Sequence, residues 1–234
     1  MKPARSRNST SDLDPVAIKV WDPPVRLFHW SLVALLIGAI VSVKIGGSAT
    51  QWHVRFGYAI LALVLFRIVW GLVGTRTARF ASFVHGPGAV IEYARSMFNG
   101  RHQTHVGHNP LGGWMIVLML LALLAQAGLG LFSNDDIATD GPLVRLVTKE
   151  ASDAITSWHR RGAWLLIGLA GLHIGAVVFY LIAFKENLVR PMVTGRKLLH
   201  AHHSGAGNDG ERTLLAVVVL AVCAAGVWLV VSRP

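Results

Sequence analysis

The chain has 234 residues and a net charge of +10; 53% of its residues are hydrophobic and only 15% are charged. Soluble domains carry about a quarter charged residues, so this composition excludes an ordinary soluble protein. Several apolar runs reach the roughly 20 residues that cross a bilayer, where a helix satisfies its own backbone groups. We therefore predict an all-α integral membrane bundle. The basic residues lie mostly in loops, where they set membrane orientation, so no nucleic-acid partner is expected.

The predicted elements begin with a polar tail over residues 1–18, which holds basic residues but no apolar core of a signal peptide. The first apolar run is therefore expected to be retained as a membrane span. Pro23 and Pro24 suit the first turn of a helix, which places the start of this span near Val25. The five spans are predicted at residues 25–45, 51–74, 110–132, 158–184 and 213–231.

The loops between the predicted spans differ in charge. Segments 1–26, 75–109 and 185–212 hold five, four and five Lys or Arg residues, against two in the acidic loop at 133–157. Loops rich in Lys and Arg stay in the cytoplasm, so the N-terminus is predicted to be cytoplasmic and the C-terminus to lie outside. Apolar residues at helical spacing over 88–98 predict an amphipathic helix, either in the membrane interface or on a solvated surface.

Four histidines lie on the predicted spans. His159 and His173 are 14 residues apart on one span, so they point to nearly the same face, about 21 Å apart along the axis. His29 and His53 lie on the first and second spans at matching depths. The orientation pairs His53 with His159 toward the outside, and His29 with His173 toward the cytoplasm. A histidine near a helix end is often only an interfacial side chain, but an ionisable residue deep in a span is usually functional.

Two histidine pairs at two depths predict two haems, one above the other. Bis-histidine ligation leaves the iron no open position, which favours electron transfer over oxygen binding. The sequence has no C-x-x-C-H motif, so covalent haem attachment is not expected. The third span has no histidine and only Gln126 as a polar interior residue, so it is predicted to be scaffold. The other histidines are predicted to be solvated loop residues rather than metal ligands: His85, His102, His105, His108, His200, His202 and His203.

Three arginines are candidates for cofactor contact. Arg67 lies 14 residues after His53, on nearly the same face but at the cytoplasmic level. It is predicted to meet a propionate of the cytoplasmic-side haem, because a guanidinium binds a carboxylate in bidentate fashion. Arg26 lies one turn before His29, and Arg55 two residues after His53. The alternative for Arg26 and Arg55 is a role in membrane topology or contact with a lipid phosphate.

Several stretches together carry a family pattern. They are 21–30 (WDPPVRLFHW), His53 with Gly57-Tyr58, Arg67 with Trp70-Gly71, 107–113 (GHNPLGG), the His159/His173 pair and 187–195 (NLVRPMVTG). Over about residues 19–197 the chain thereby resembles the prokaryotic cytochrome b561 family and the related b-type cytochrome subunits of nickel–iron hydrogenases. The resemblance implies a four-helix di-haem cytochrome b domain over 19–197. A cytoplasmic linker at 198–212 and a fifth helix at 213–231 follow it, and this helix departs from the minimal four-span pattern as either a partner-docking helix or a simple addition.

The resemblance also implies two haem b groups, with His29, His53, His159 and His173 as iron ligands, in a bacterial inner membrane with the C-terminus periplasmic. Such proteins pass electrons between membrane quinone and a redox partner, here a cytochrome c, a dehydrogenase or a hydrogenase. No catalytic residue is predicted, and whether the chain is itself an enzyme stays open.

Two alternative functions remain beside the electron-transfer subunit. The first is a stand-alone superoxide:quinone oxidoreductase, whose outer surface would attract an anion. The acidic loop 133–157 opposes the positive charge that outer basic residues supply, namely Lys44, Arg55, Arg160 and Arg161. The second is a membrane transporter or scaffold without haem, whose histidines would handle protons.

Overall fold

The computed structural model describes residues 15–100, 104–137, 139–200 and 212–232. Five helices within these residues are long and apolar enough to cross a membrane: α1 (Pro23–Ile45), α2 (Thr50–Val73), α4 (Pro110–Leu131), α5 (Lys149–Ala183) and α7 (Thr213–Val231). The shorter elements are α3 (Pro87–Phe98), α6 (Val189–Thr194), β1 (Pro15–Lys19) and β2 (Arg196–His200). The prediction of an all-α membrane bundle is confirmed, and α3 occupies the segment where an amphipathic helix was predicted.

Polar caps and prolines mark the starts of two spans. The Asp22 side chain accepts a hydrogen bond from the Val25 backbone N–H at 2.8 Å, and two prolines follow it in the first turn of α1. Asn109 caps α4 in the same way, accepting from Gly112 N–H at 2.7 Å, with Pro110 next in the chain. A side-chain acceptor at this position satisfies an otherwise unpaired N–H. Proline in the first turn removes no helical hydrogen bond, because the N–H groups there have no partner within the helix.

The helix α5 begins nine residues before the predicted fourth span. Thr148 caps it by accepting from Ala151 N–H, and Glu150 in the first turn suits the positive end of the helix dipole. The buried Ser152 and Asn134 join this extension to the end of α4 through a 2.6 Å hydrogen bond. The last part of the predicted acidic loop is therefore helical.

A small antiparallel sheet joins the two ends of the four-span segment. The strand β1 pairs with β2, so that Pro15 lies opposite His200 and Lys19 opposite Arg196. The N–H groups of Val20 and Trp21 both donate to the Gly195 carbonyl. Residues 15–18 were predicted as the end of a polar tail, and residue 19 as the start of the domain. They form a strand that pairs with the chain after α6.

Some predictions fall outside the described residues. These include most of the polar tail (1–14) and most of the predicted linker (201–211, with His202 and His203), as well as Arg101 and His102.

The bundle is built around α2. It packs against α1, α4 and α7 and supplies fully buried side chains such as Val64 and Trp70. The helix α5 packs against α4 instead, and its backbone has few close approaches to α1 or α2. A cleft therefore runs between α5 on one side and α1 and α2 on the other, and the histidines of the three helices face this cleft.

Candidate functional site

His53 of α2 and His159 of α5 face each other across the cleft at the predicted outer level. Their ring centroids are 5.9 Å apart. Nδ1 of His53 lies 2.9 Å from the Ala39 carbonyl oxygen, and Nδ1 of His159 lies 3.0 Å from the Gln126 carbonyl oxygen. A histidine that donates Nδ1–H to a carbonyl keeps a neutral Nε2 with a free lone pair, as metal ligation requires. Both outer rings therefore present Nε2 as a ligand atom.

His29 of α1 and His173 of α5 form the second pair, at the predicted cytoplasmic level. Their ring centroids are 6.5 Å apart. The ring of His29 is braced edge-on by Trp30, whose centroid lies 4.9 Å away. The structure thus brings the four histidines together in the pairs that the sequence predicts.

The ring separations match two imidazoles on opposite sides of one metal ion. A metal–imidazole bond is about 2 Å long and the ring centroid lies about 1 Å beyond the nitrogen, so such centroids are about 6 Å apart. Among the described residues, no three His, Cys, Asp or Glu side chains converge to hold a bare metal ion. Two-histidine sites in a cleft suit a metal whose other ligands come from a flat macrocycle, so the residues fit haem at both levels.

Gln126 of α4 holds His159 in place from two directions. Its backbone carbonyl accepts from the His159 ring, and its side-chain Nε2 donates to the His159 carbonyl at 2.8 Å. The neighbouring Gly130 allows this approach, since a Cβ there would lie 3.1 Å from the His159 ring. The prediction that the third span is only scaffold is therefore wrong. The signal was the lone polar residue deep in an apolar helix, which is costly unless paired.

Arg67 of α2 is buried at the cytoplasmic level, with 3% of its surface exposed. Its guanidinium lies 5.2 Å from the centroid of the Phe80 ring, and its Nη1 is buried without a hydrogen-bond partner. The carboxylate of Asp22 acts on it electrostatically, but its oxygens accept from other groups. A buried guanidinium is stabilised by an anion, so Arg67 could bind a carboxylate at this level.

Asp22 is a buried link between the start of α1 and the end of α2. It is 1% exposed and accepts from Val25 N–H, from Trp70 Nε1 at 3.0 Å and from the Thr75 hydroxyl. These bonds join the start of α1, which carries His29, to the end of α2. The sequence marks Asp22 only as part of the motif at 21–30, because its role depends on partners about 50 residues away in the chain.

His108 is a member of the wall of the cytoplasmic-level site. Its ring centroid lies 4.5 Å from that of Trp21 and 4.7 Å from that of Phe83, and its Nδ1 is buried without a partner. Burial, followed by the charges of Arg67 and His173, lowers the pKa of His108 to about 3. The prediction of a solvated loop residue is therefore wrong for His108, because the loop folds back over the bundle.

Arg26 and Arg55 have different surroundings. Arg26 donates from Nη2 to the Val193 carbonyl and packs on Gly195, so it joins α1 to the turn after α6. Arg55 is exposed and lies 4.8 Å over the Trp52 ring. Contact of either residue with a cofactor stays a prediction.

Comparisons with known proteins agree on one family. The family model described as prokaryotic cytochrome b561 matches residues 20–195. A probable Ni/Fe-hydrogenase B-type cytochrome subunit of Cupriavidus necator is 26% identical over 212 residues, covering 76% of this chain and 86% of that relative. The probable Ni/Fe-hydrogenase 1 B-type cytochrome subunit of Escherichia coli K12 is 24% identical over 229 residues, covering 83% and 95%. No solved structure gives a match.

Proposed function

The chain belongs to the prokaryotic cytochrome b561 family, and from this premise we propose that it moves electrons across a bacterial inner membrane through two bis-histidine haems b. Membership makes it a multi-pass membrane cytochrome of the b type that transfers electrons. The number of haems, their ligands and their exchange partners are the proposal. The observation that supports it most is that a pair of histidine rings lies face to face at each of two levels. Their ring centroids are 5.9 Å apart for His53 and His159, and 6.5 Å apart for His29 and His173.

The residues divide the task between two levels. His53 and His159 hold the outer haem, with their Nδ1 atoms bonded to the carbonyls of Ala39 and Gln126. His29 and His173 hold the inner haem, and the buried Arg67 offsets negative charge at that level. A bound haem b supplies an iron that accepts and releases single electrons. The two histidine pairs would hold both irons at fixed positions between α5 and the α1–α2 pair.

We propose that the partner is a hydrogenase or another dehydrogenase, or a cytochrome c, and that membrane quinone is the second exchange partner. The curated relatives carry the name of hydrogenase cytochrome subunits, and the chain covers most of their length. The paired strands β1 and β2 carry Lys19, Arg196 and Lys197, so described basic residues of two predicted cytoplasmic segments lie together at one end of the bundle. This supports a cytoplasmic N-terminus and, after five spans, a periplasmic C-terminus.

A stand-alone superoxide:quinone oxidoreductase is the second candidate. It is favoured by the exposed arginines Arg55, Arg160 and Arg161, which lie beside the outer histidines in sequence. The acidic loop that opposes them is partly neutralised, because Lys149 forms ion pairs with Asp136 and Asp153. The loop at 133–157 keeps a net charge of −3 with Lys149 included, against four basic residues at the outer level (Lys44, Arg55, Arg160 and Arg161), so only a small positive charge is left to attract an anion.

Haem quantitation in the purified full-length protein tests the ligand assignment. Dithionite-reduced minus oxidised spectra should show two b-type haems per chain. The variants His29→Ala and His53→Ala should each lose the haem of their own level, whereas His85→Ala, at an exposed loop histidine, should retain both. A chain without haem, or haem that neither substitution affects, would contradict the proposal.

The exchange partners need a separate assay. A reduced protein that a short-chain quinone reoxidises, but that superoxide does not reduce, would favour the subunit function. Direct reduction by superoxide, lost when Arg55, Arg160 and Arg161 are replaced by Gln, would favour the stand-alone enzyme. No response to quinone would contradict both functions.

A further inference from the structure

Among the described residues, four side chains at the cytoplasmic level have a buried nitrogen without a partner: Arg26, His29, Arg67 and His108. Arg26 bonds through another nitrogen and His29 is a proposed iron ligand, which leaves Arg67 and His108. The guanidinium of Arg67 makes no hydrogen bond or ion pair with any of the described residues, although it is 3% exposed. The Nδ1 atom of His108 is likewise buried and unbonded. Leaving a buried charged donor unpaired costs more than leaving a neutral one, so the pair together indicates a missing acceptor.

The two side chains belong to one site. The Arg67 guanidinium lies 5.2 Å from the centroid of the Phe80 ring. The centroid of Phe83 lies 5.8 Å from that of Phe80 and 4.7 Å from that of His108, so these two rings join Arg67 to His108. Arg67 and His173, which faces His29 across the cleft, also act electrostatically on the His108 ring. His108 is fixed in place, because its ring packs against Trp21 and the next residue, Asn109, caps α4. The His108 ring is therefore not free to turn to solvent, and the Arg67 side chain, at 3% exposed, has almost no access to it.

The carboxylate that acts electrostatically on Arg67, that of Asp22, is already engaged. Both oxygens of Asp22 accept hydrogen bonds, Oδ1 from Val25 N–H and Oδ2 from Trp70 and Thr75. The acceptor that Arg67 and His108 lack must therefore come from a bound group. A planar guanidinium with a neighbouring imidazole N–H suits a carboxylate, which offers two oxygens with several lone pairs.

We propose that Arg67 and His108 together bind a carboxylate, and that its source is a propionate of the haem held by His29 and His173. The inference rests on the proposed function, since it requires a haem at the inner level. It adds His108 to the haem site, where Arg67 and His108 would bind the same propionate. A small free carboxylate has the same chemistry and is the competing source.

Haem esters separate the two sources. The full-length protein is loaded with haem b or with haem dimethyl ester, in which both propionates are blocked, and transfer of the cofactor to excess apomyoglobin is followed. A charge-assisted hydrogen bond contributes enough to change retention by roughly tenfold or more. We expect the parent chain to release the ester from the inner site at least tenfold faster than haem. The double variant Arg67→Gln, His108→Phe should release both at similar rates.

Conservative variants show whether the effect is chemical or structural. Arg67→Lys keeps the charge and His108→Gln keeps an N–H donor, so each should retain part of the preference for haem over its ester. Arg95→Gln and His85→Gln, at exposed positions on the same side of the bundle, should behave like the parent chain. Redox titration gives a second readout, because loss of the Arg67 charge should lower the inner haem potential and leave the outer potential in place.

Three results would overturn the inference. One is an undiminished preference for haem in the double variant, which would place the propionates elsewhere. The second is a parent chain that does not distinguish haem from its ester. The third is recovery of the ester form by added acetate, which would identify a free anion as the occupant. Failure of the proposed function looks different: the parent chain would then load no inner haem at all.

Discussion

The substitution Asp22→Ala should loosen the inner site far more than the outer one. It removes the cap of α1 and leaves Trp70 Nε1 and the Thr75 hydroxyl without their acceptor. Loss of an N-cap costs about 1 kcal/mol, and each buried donor left unpaired costs about 1–3 kcal/mol. The hydroxyl of Thr75 can turn to another acceptor, so we expect a total loss of roughly 3–5 kcal/mol.

The effect should be local because Asp22 lies between the start of α1 and the end of α2. His29 is seven residues from it, in the second turn of α1, whereas the outer pair is held by Ala39 and Gln126 carbonyls. The assay is thermal loss of the Soret band, with the two haems distinguished by their potentials. The inner haem should be lost well below the temperature at which the parent chain loses it.

Two further variants separate the contributions of the individual hydrogen bonds of Asp22. Thr75→Val removes one of the three donors and should cost about 1 kcal/mol. Asp22→Asn keeps an acceptor for the cap and should lie between Thr75→Val and Asp22→Ala. Equal loss of both haems in Asp22→Ala, or a loss no greater than that of Thr75→Val, would show that Asp22 does not organise the inner site.

Three further predictions concern single contacts. Gly162→Ala would place a Cβ far inside contact distance of Gln126 Oε1, so the hydrogen bond from Gln126 to His159 should break and only the outer haem potential should shift. In a Gln126→Ala background the same substitution should cause no shift. A shift that persists in that background would contradict the contact. Burial raises the pKa of Tyr93, helped by its hydrogen bond to Tyr180. The fold therefore favours the protonated phenol, and stability should fall as the pH rises above about 10, more steeply in the parent chain than in Tyr93→Phe; parallel melting curves at pH 9–11 would refute this. Gly113→Ala would bring a Cβ within 2.6 Å of the Phe83 carbonyl oxygen, so it should destabilise by roughly 1–3 kcal/mol, whereas Gly128→Ala, which meets nothing within 4 Å, should be tolerated in the same melting assay.

The sequence by itself determined the membrane spans and their order. An apolar run of bilayer length must satisfy its backbone within one helix, so composition and length alone identify it. The start of α1 was predicted in the same way, because Pro23 and Pro24 suit the first turn of a helix whatever the rest of the fold. The common face of His159 and His173 follows from helical periodicity, which is also local.

Only the tertiary structure decided which residues meet across elements. The early start of α5 depends on Thr148 and on the bond between Ser152 and Asn134, which no apolar pattern marks. The pairing of β1 with β2 joins segments about 180 residues apart. Such contacts depend on where distant segments come together, so a single sequence carries little signal for them.

The same limit explains the two errors at the candidate site. Gln126 looked like an isolated polar residue because its partner, the His159 backbone, lies on another helix. His108 looked solvated because its loop is polar, and only the fold places its ring between Trp21 and Phe83. Periodicity locates the histidine faces, but packing decides which groups position them and which buried donors, such as that of Arg67, have no partner among the described residues.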